Sequence, residues 1–419
     1  MRMGLLFFAI SCCAGAWAAD DVDDLAARLN TAHKAHDYVG MEKAADQILV
    51  ELPGSPLVIY LQAEARAGAH DAPGALASLN QLAHMGLYFD ISKTTEFIPL
   101  RDDAGFKVLL AAFAANQVQI GKTTVAFSLP EPDFIPEGLT YDPKTGDFFV
   151  ASVRLRKILR VHAGKASVFA ARDTGLWSVL GLRVDAAHDD LWAVSGALPQ
   201  MQAYEPKLDG KSALFRFDLR SGGLQASYSA ADGAAHQFND LCVAPDGEVY
   251  VADSGGGVYV WTPGAKALTP LAATHDLRSS QGLALSEDGH YLYIADYSLG
   301  IYAYDLSAGT LMHITTPTDV TSFGVDGLYV HGHSLLATQN GVTPQRVIRF
   351  DLDSSGLHIT GAHTLDVNDP QVPEPTLFTA VGDTLYLVAN SQWSRFDEHM
   401  QLPSLDKLQK PLIVKLPIH

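Results

Sequence analysis

A short pattern recurs six times in the last two-thirds of this chain: a polar lead, Gly-Leu or a close variant, a turn, then an aliphatic or aromatic strand. The copies are Pro136-Glu137-Gly138-Leu139, Leu180-Gly181-Leu182, Phe238-Asn239-Asp240-Leu241, Ser280-Gln281-Gly282-Leu283, Val325-Asp326-Gly327-Leu328 and Pro375-Thr376-Leu377. Their leucines lie 43, 59, 42, 45 and 49 positions apart. That interval is the length of a four-stranded propeller blade, so the pattern predicts a mainly β fold, a six-bladed β-propeller over 123–419. Asp246-Gly247 and Asp288-Gly289 read as hairpin turns, which gives both aspartates a structural role. The strand Thr123–Leu129 precedes the first copy and is expected to complete the last blade.

Ahead of the propeller, residues 20–117 show helical periodicity with few β-branched runs. Ala45, Leu49 and Leu52 match Ala75, Leu79 and Leu82, and Pro53-Gly54-Ser55-Pro56 breaks the chain between the two sets. This resembles tetratricopeptide repeats and predicts a small α-helical repeat domain of two to three helix pairs, which either docks a protein or peptide or packs on the propeller. Residues 1–18 read as an export signal: Met1-Arg2-Met3, an apolar run and Ala16-Trp17-Ala18 at the cleavage subsites, with lipid attachment at Cys12 or Cys13 as the alternative. The expected location is periplasmic or secreted. Cleavage after Ala18 leaves Cys242 as the one cysteine, so no intramolecular disulfide is expected. A formal charge of −18 with no basic stripe argues against nucleic acid, and no later apolar run is long enough to span a bilayer.

A propeller starts every inner strand at one face beside the central channel, so residues just before each Gly-Leu converge there. These are Glu137, Asn239, Gln281 and Asp326, all with side-chain oxygens, two of them carboxylates. Such a set suits a hard divalent cation, Ca2+ first among them, because two carboxylates offset its charge. Gln281 alone fits a backbone cap at a strand start equally well. Blades two and six place Leu180 and Thr376 at the equivalent positions, which predicts an open sector where a substrate can approach.

At these residues the chain resembles the regucalcin and gluconolactonase family of propellers. Pro136-Glu137-Gly138, Asn239-Asp240 and Asp326-Gly327-Leu328 carry the likeness, while Ser280-Gln281-Gly282-Leu283 departs from the family's Pro-Asn-Gly. The resemblance implies Glu137, Asn239 and Asp326 as metal ligands, with Gln281 in a ligand's place, and Asp326 as the group that takes the proton during hydrolysis of a lactone or ester. Gln237 stands where the family places a substrate-binding arginine, which points away from sugar lactones. Arg154, in the blade-one loop on the same face, is the candidate cationic substrate contact, with a solvated surface charge as the alternative. The blade-two loop 197–211 is either a lid or a plain excursion. His331 and His333 flank a turn on the opposite face and are assigned no metal. Two functions follow: a metal-dependent hydrolase acting on a small-molecule lactone or ester, or a non-enzymatic binding module with a structural cation.

Overall fold

The computed structural model describes the backbone from Ala19 and side chains from Val22; the expected export segment 1–18, with Cys12 and Cys13, lies outside the described residues. From Thr124 onward six four-stranded antiparallel sheets follow one another, each the blade of a six-bladed β-propeller. Inner strands are Pro136–Asp142, Ser178–Asp185, Phe238–Val243, Ser280–Leu285, Val325–His331 and Phe378–Val381 for blades one to six. Blade six takes its outer strand, Thr124–Ser128, from ahead of blade one, and Thr124 pairs with Lys415. The ring is therefore closed by chain ends of the propeller that lie far apart in sequence.

The recurring pattern has a local physical meaning. In blades one to five the register slips between the first residue of the motif and its leucine, for example between Pro136 and Leu139 and between Val325 and Leu328. A bulge leaves the residues between them unpaired and turned from the ladder. Those residues include Glu137, Asn239, Gln281 and Asp326, so the bulge aims them at the axis. The motif glycine answers to close approach rather than to an unusual dihedral. A Cβ at Gly138 would lie 2.1 Å from the Leu180 carbonyl oxygen, and one at Gly282 would lie 2.6 Å from that of Asp326. Neighbouring inner strands meet backbone to backbone around the channel. The hairpins behave as their sequences predict: Asp246 accepts from the Glu248 amide at 3.1 Å, Asp288 from the His290 amide at 3.0 Å.

Among the described residues five α-helices precede the propeller: α1 (Ala19–Ala35), α2 (Tyr38–Glu51), α3 (Pro56–Gly68), α4 (Ala72–His84) and α5 (Ala104–Ala115). Asp37, Asp71 and Asp103 cap α2, α4 and α5 by accepting from backbone amides of their first turns, and Pro56 opens α3. Ile59, Ala63, Ala75, Leu79 and Leu82 are buried together, so the second matched set forms the seam between α3 and α4, while Ala45 and Leu52 of the first set lie in the core that meets the propeller.

The helices pack on the propeller. Leu299 and Phe323 join the core made by Met41, Ala45 and Ile48 of α2. Thr321 Oγ1 donates to the Gly54 carbonyl at 2.9 Å, the Tyr88 amide to Thr343 O at 2.7 Å, and Arg346 Nη1 to Met85 O at 2.7 Å. Leu299, Thr321, Phe323 and Thr343 all lie in loops before an inner strand or between second and third strands. The helical region therefore sits on the face where the inner strands begin, over blades four and five. Cys242 is buried as a free thiol. Among the described residues no helix is long and apolar enough to cross a membrane.

Candidate metal centre at the channel mouth

Glu137 of blade one and Asp326 of blade five are brought to the channel mouth, and the Asp326 charge bears on the Glu137 carboxyl. Glu137 is buried, and its Oε2 accepts from the Trp393 indole Nε1 at 2.6 Å. Its carboxyl is held well above the usual range, first by burial, then by the charges of Asp326, Glu374 and Asp240, against the opposing indole bond. Asp326 Oδ2 accepts from Asn340 Nδ2 at 2.7 Å. Burial pushes its carboxyl up to about 6; the Asn340 bond holds it back and the Asp240 charge adds to the rise. Asp240, deeper in the channel, has Arg183 at 3.6 Å, yet burial still raises its carboxyl. Among the described residues neither Glu137 nor Asp326 forms an ion pair with a basic side chain.

Asn239 and Gln281 meet each other. Asn239 Nδ2 donates to Gln281 Oε1 at 2.7 Å and also to Ser254 Oγ, while Gln281 Nε2 donates to Ser279 Oγ at 3.0 Å. Among the described residues Glu137 Oε1, Asp326 Oδ1 and Asn239 Oδ1 accept no hydrogen bond, whereas Gln281 Oε1 does. This donor set fits a hard cation: two acids short of positive charge, plus an amide oxygen left over. The longer Gln281 side chain uses its oxygen to fix the Asn239 amide.

The two candidate substrate contacts have their own partners. Arg154 pairs with Asp133 at 3.5 Å, so part of its charge is already answered. Gln237 is exposed; its backbone amide donates to Asp253 Oδ1 at 2.9 Å. The sector expected to be open is narrower than the blade pattern implied. The long blade-six loop after Thr384–Val388 brings Trp393 onto Glu137, and its Met400 Sδ accepts from Gln200 Nε2 of the blade-two loop at 3.4 Å. Two loops thus touch above blade one.

Four supporting residues carry no mark in the recurring motif. Ser254, Tyr297 and Asn340 each follow the last residue of a second strand, Asp253, Asp296 and Gln339. Ser254 holds Asn239, Asn340 holds Asp326, and the Tyr297 hydroxyl donates to Asn340 Oδ1 at 3.0 Å. That shared position is a periodic signal that finds them. Trp393 sits further along the corresponding, longer loop of blade six, between Thr384–Val388 and Leu412–Pro417.

A family profile described as "SMP-30/Gluconolactonase/LRE-like region" matches residues 135–389, more than half of the chain. The chain belongs to this family. The family region runs from the start of the first inner strand to the second strand of blade six and takes in Glu137, Asn239, Gln281 and Asp326, but not Trp393. Among solved structures, a gluconolactonase from Xanthomonas campestris is similar at 19% identity over 73% of this chain and 93% of that one, with TM-score 0.49. A calcium-binding regucalcin from Agrobacterium tumefaciens is similar at 18% identity over 70% and 95%, with TM-score 0.48. None of the curated proteins compared matches the chain. Membership in the SMP-30/gluconolactonase family rests on the profile match.

Proposed function

We propose that the protein is a divalent-metal-dependent hydrolase of a lactone or ester, with Glu137, Asn239 and Asp326 holding the cation, Ca2+ by its ligand chemistry. The observation that carries this reading is the pair of acids at the channel mouth, Glu137 buried and Asp326 half-buried, each with one oxygen free of protein donors. A bound cation would polarise the substrate carbonyl and lower the pKa of water. Asp326 would accept the proton of the attacking water, and Asn340 orients its carboxylate by donating to Oδ2. Gln281 positions Asn239. Gln237 stands where the resembling family places a substrate-binding arginine, which points away from its sugar lactones.

Calorimetric titration of the purified protein with Ca2+, beside Glu137→Ala and Asp326→Ala, tests the site. Saturable binding lost in both variants supports it, and a lactone and ester screen follows. A wild type that takes up no divalent cation overturns the reading. A second reading has its own support: the helices over blades four and five and the two touching loops cover much of the site face, as a binding module with a structural cation would. Cation binding without turnover of any lactone or ester separates the two.

A further inference from the structure

At the face opposite the channel mouth, three potential metal ligands from separate segments come together: His331, Asp383 and His419. His331 ends the inner strand of blade five, Asp383 lies in the turn between the first two strands of blade six, and His419 follows the third strand, Leu412–Pro417. His331 Nε2 and His419 Nε2 each lie 3.4 Å from the same oxygen, Asp383 Oδ1. All three donor atoms fall within 4.8 Å of one another. The two nitrogen-to-oxygen separations are those of neighbouring ligands in a tetrahedral site, about 3.3 Å apart for bonds of about 2.0 Å.

The framework under the cluster is fixed. Ile418 is fully buried, its amide donates to the Asp383 carbonyl at 3.1 Å, and its own carbonyl accepts from Arg349 Nη1 at 3.4 Å. The turn after His331 is anchored by the Gly332 amide, which donates to Glu287 Oε1 at 2.9 Å. His331 and His419 are therefore presented by ordered backbone. Their rings lie 6.0 Å apart at 55°, so both nitrogens face the carboxylate without stacking.

We propose that His331, Asp383 and His419 form a surface site for a borderline transition-metal cation, zinc above all, that clips blade five to blade six. Two imidazoles and one carboxylate select zinc, cobalt, nickel or copper over calcium and magnesium, which prefer all-oxygen sets. Three protein ligands on an exposed face leave the remaining position to water. The clip joins the end of the blade-five inner strand to blade six, so it acts on the seam between these two blades and not on the chemistry at the channel mouth.

The test uses the full chain without a polyhistidine tag. Zinc titration by calorimetry is run on the wild type and on His331→Ala, His419→Ala and Asp383→Asn, each checked for native circular dichroism. Cobalt absorption in the visible serves as the second readout. The expected result is one zinc site weakened at least tenfold in each histidine variant, loss of the tetrahedral cobalt bands, a zinc-dependent rise in melting temperature confined to the wild type, and an unchanged calcium titration. Zinc titrations that superimpose for wild type and both histidine variants, or a wild type that takes up no zinc at this cluster, overturn the proposal.

Discussion

Trp393 Nε1 donates to Glu137 Oε2 at 2.6 Å, joining a blade-six loop to the first inner strand across 256 positions of sequence. The indole does two things to the carboxylate: it offers a proton to one oxygen, and by doing so leaves the other oriented toward the channel. Supporting donors of this kind set ligand direction as much as ligand basicity.

Trp393→Phe retains the ring and removes the N–H. Cation affinity is expected to fall by about tenfold, within the range that loss of such a partner produces. Calorimetry on the variant checks this, with circular dichroism to show that the blade-six loop keeps the rest of the fold. Unchanged affinity would mean that the indole covers the site without steering Glu137.

Gly138 tests whether the motif glycines exist for close approach. A Cβ there meets the Leu180 carbonyl at 2.1 Å, and a backbone atom cannot swing aside as a long side chain can. Gly138→Ala should destabilise the protein by on the order of 3 kcal/mol, the upper part of the range for overpacking. Gly361, where nothing lies within 4 Å of an added Cβ, is the control, and its alanine variant should stay within about 0.5 kcal/mol of wild type. Equal denaturant midpoints for the two variants would remove the steric account of the repeat.

The first five blades and the converging residues are legible because both follow from one periodic event, the bulge at the inner-strand starts of blades one to five. The spacing of Leu139, Leu182, Leu241, Leu283 and Leu328 marks where the register slips, and the slip turns the preceding residue to the axis. Asn340 and Tyr297 escaped because their shared place after the second strands shows only once strand ends are known. Trp393 had no periodic partner to reveal it. The seat of the helical region was equally hidden: Leu299 and Phe323 look like ordinary loop residues until Met41 and Ile48 are set against them. Gln281 was read as a ligand in a ligand's place. Its oxygen accepts from the Asn239 amide at 2.7 Å, a contact between two motif residues that the sequence pattern does not show. His331 shows the converse limit, since neither Asp383 nor His419 is near it in sequence.

Glu64 of α3 supplies a pH dependence remote from the channel. Burial first, and the Glu96 charge second, push its carboxyl up to about 7, against an opposing bond from Tyr60; His33 Nε2 lies 3.4 Å away. A folded-state value above the unfolded one, about 4.3, means that the folded protein holds a proton the unfolded chain has released. The contribution is fully present below about pH 4.3 and is lost as pH rises through 7, on the order of 3 kcal/mol in all. Glu64→Gln removes the titration. It should match the wild type below about pH 4 and melt progressively higher than the wild type up to pH 8; a constant difference between the two across that interval would show that Glu64 is not the group responsible.

Arg346 joins the helices to the propeller through a charge that the fold has taken out of water. It is 4% exposed, its Nε donates to Gln339 Oε1 at 2.7 Å, and its Nη1 reaches Met85 O at the end of α4. Burial pushes its pKa down to about 10, still well above neutrality, so the guanidinium stays charged there. Hydrogen bonds from a charged donor contribute about 1.5–3 kcal/mol each, but removing the buried charge also removes its desolvation cost. Arg346→Met keeps the aliphatic volume and leaves the Met85 and Gln339 oxygens without this donor. The expected net loss at the interface is about 2 kcal/mol, roughly thirtyfold in the population with the helices detached. Limited proteolysis should then cut faster between residues 116 and 123, while the propeller resists digestion as before. Identical digestion of variant and wild type would show that the apolar contacts of Leu299 and Phe323 suffice to hold the helical region over blades four and five.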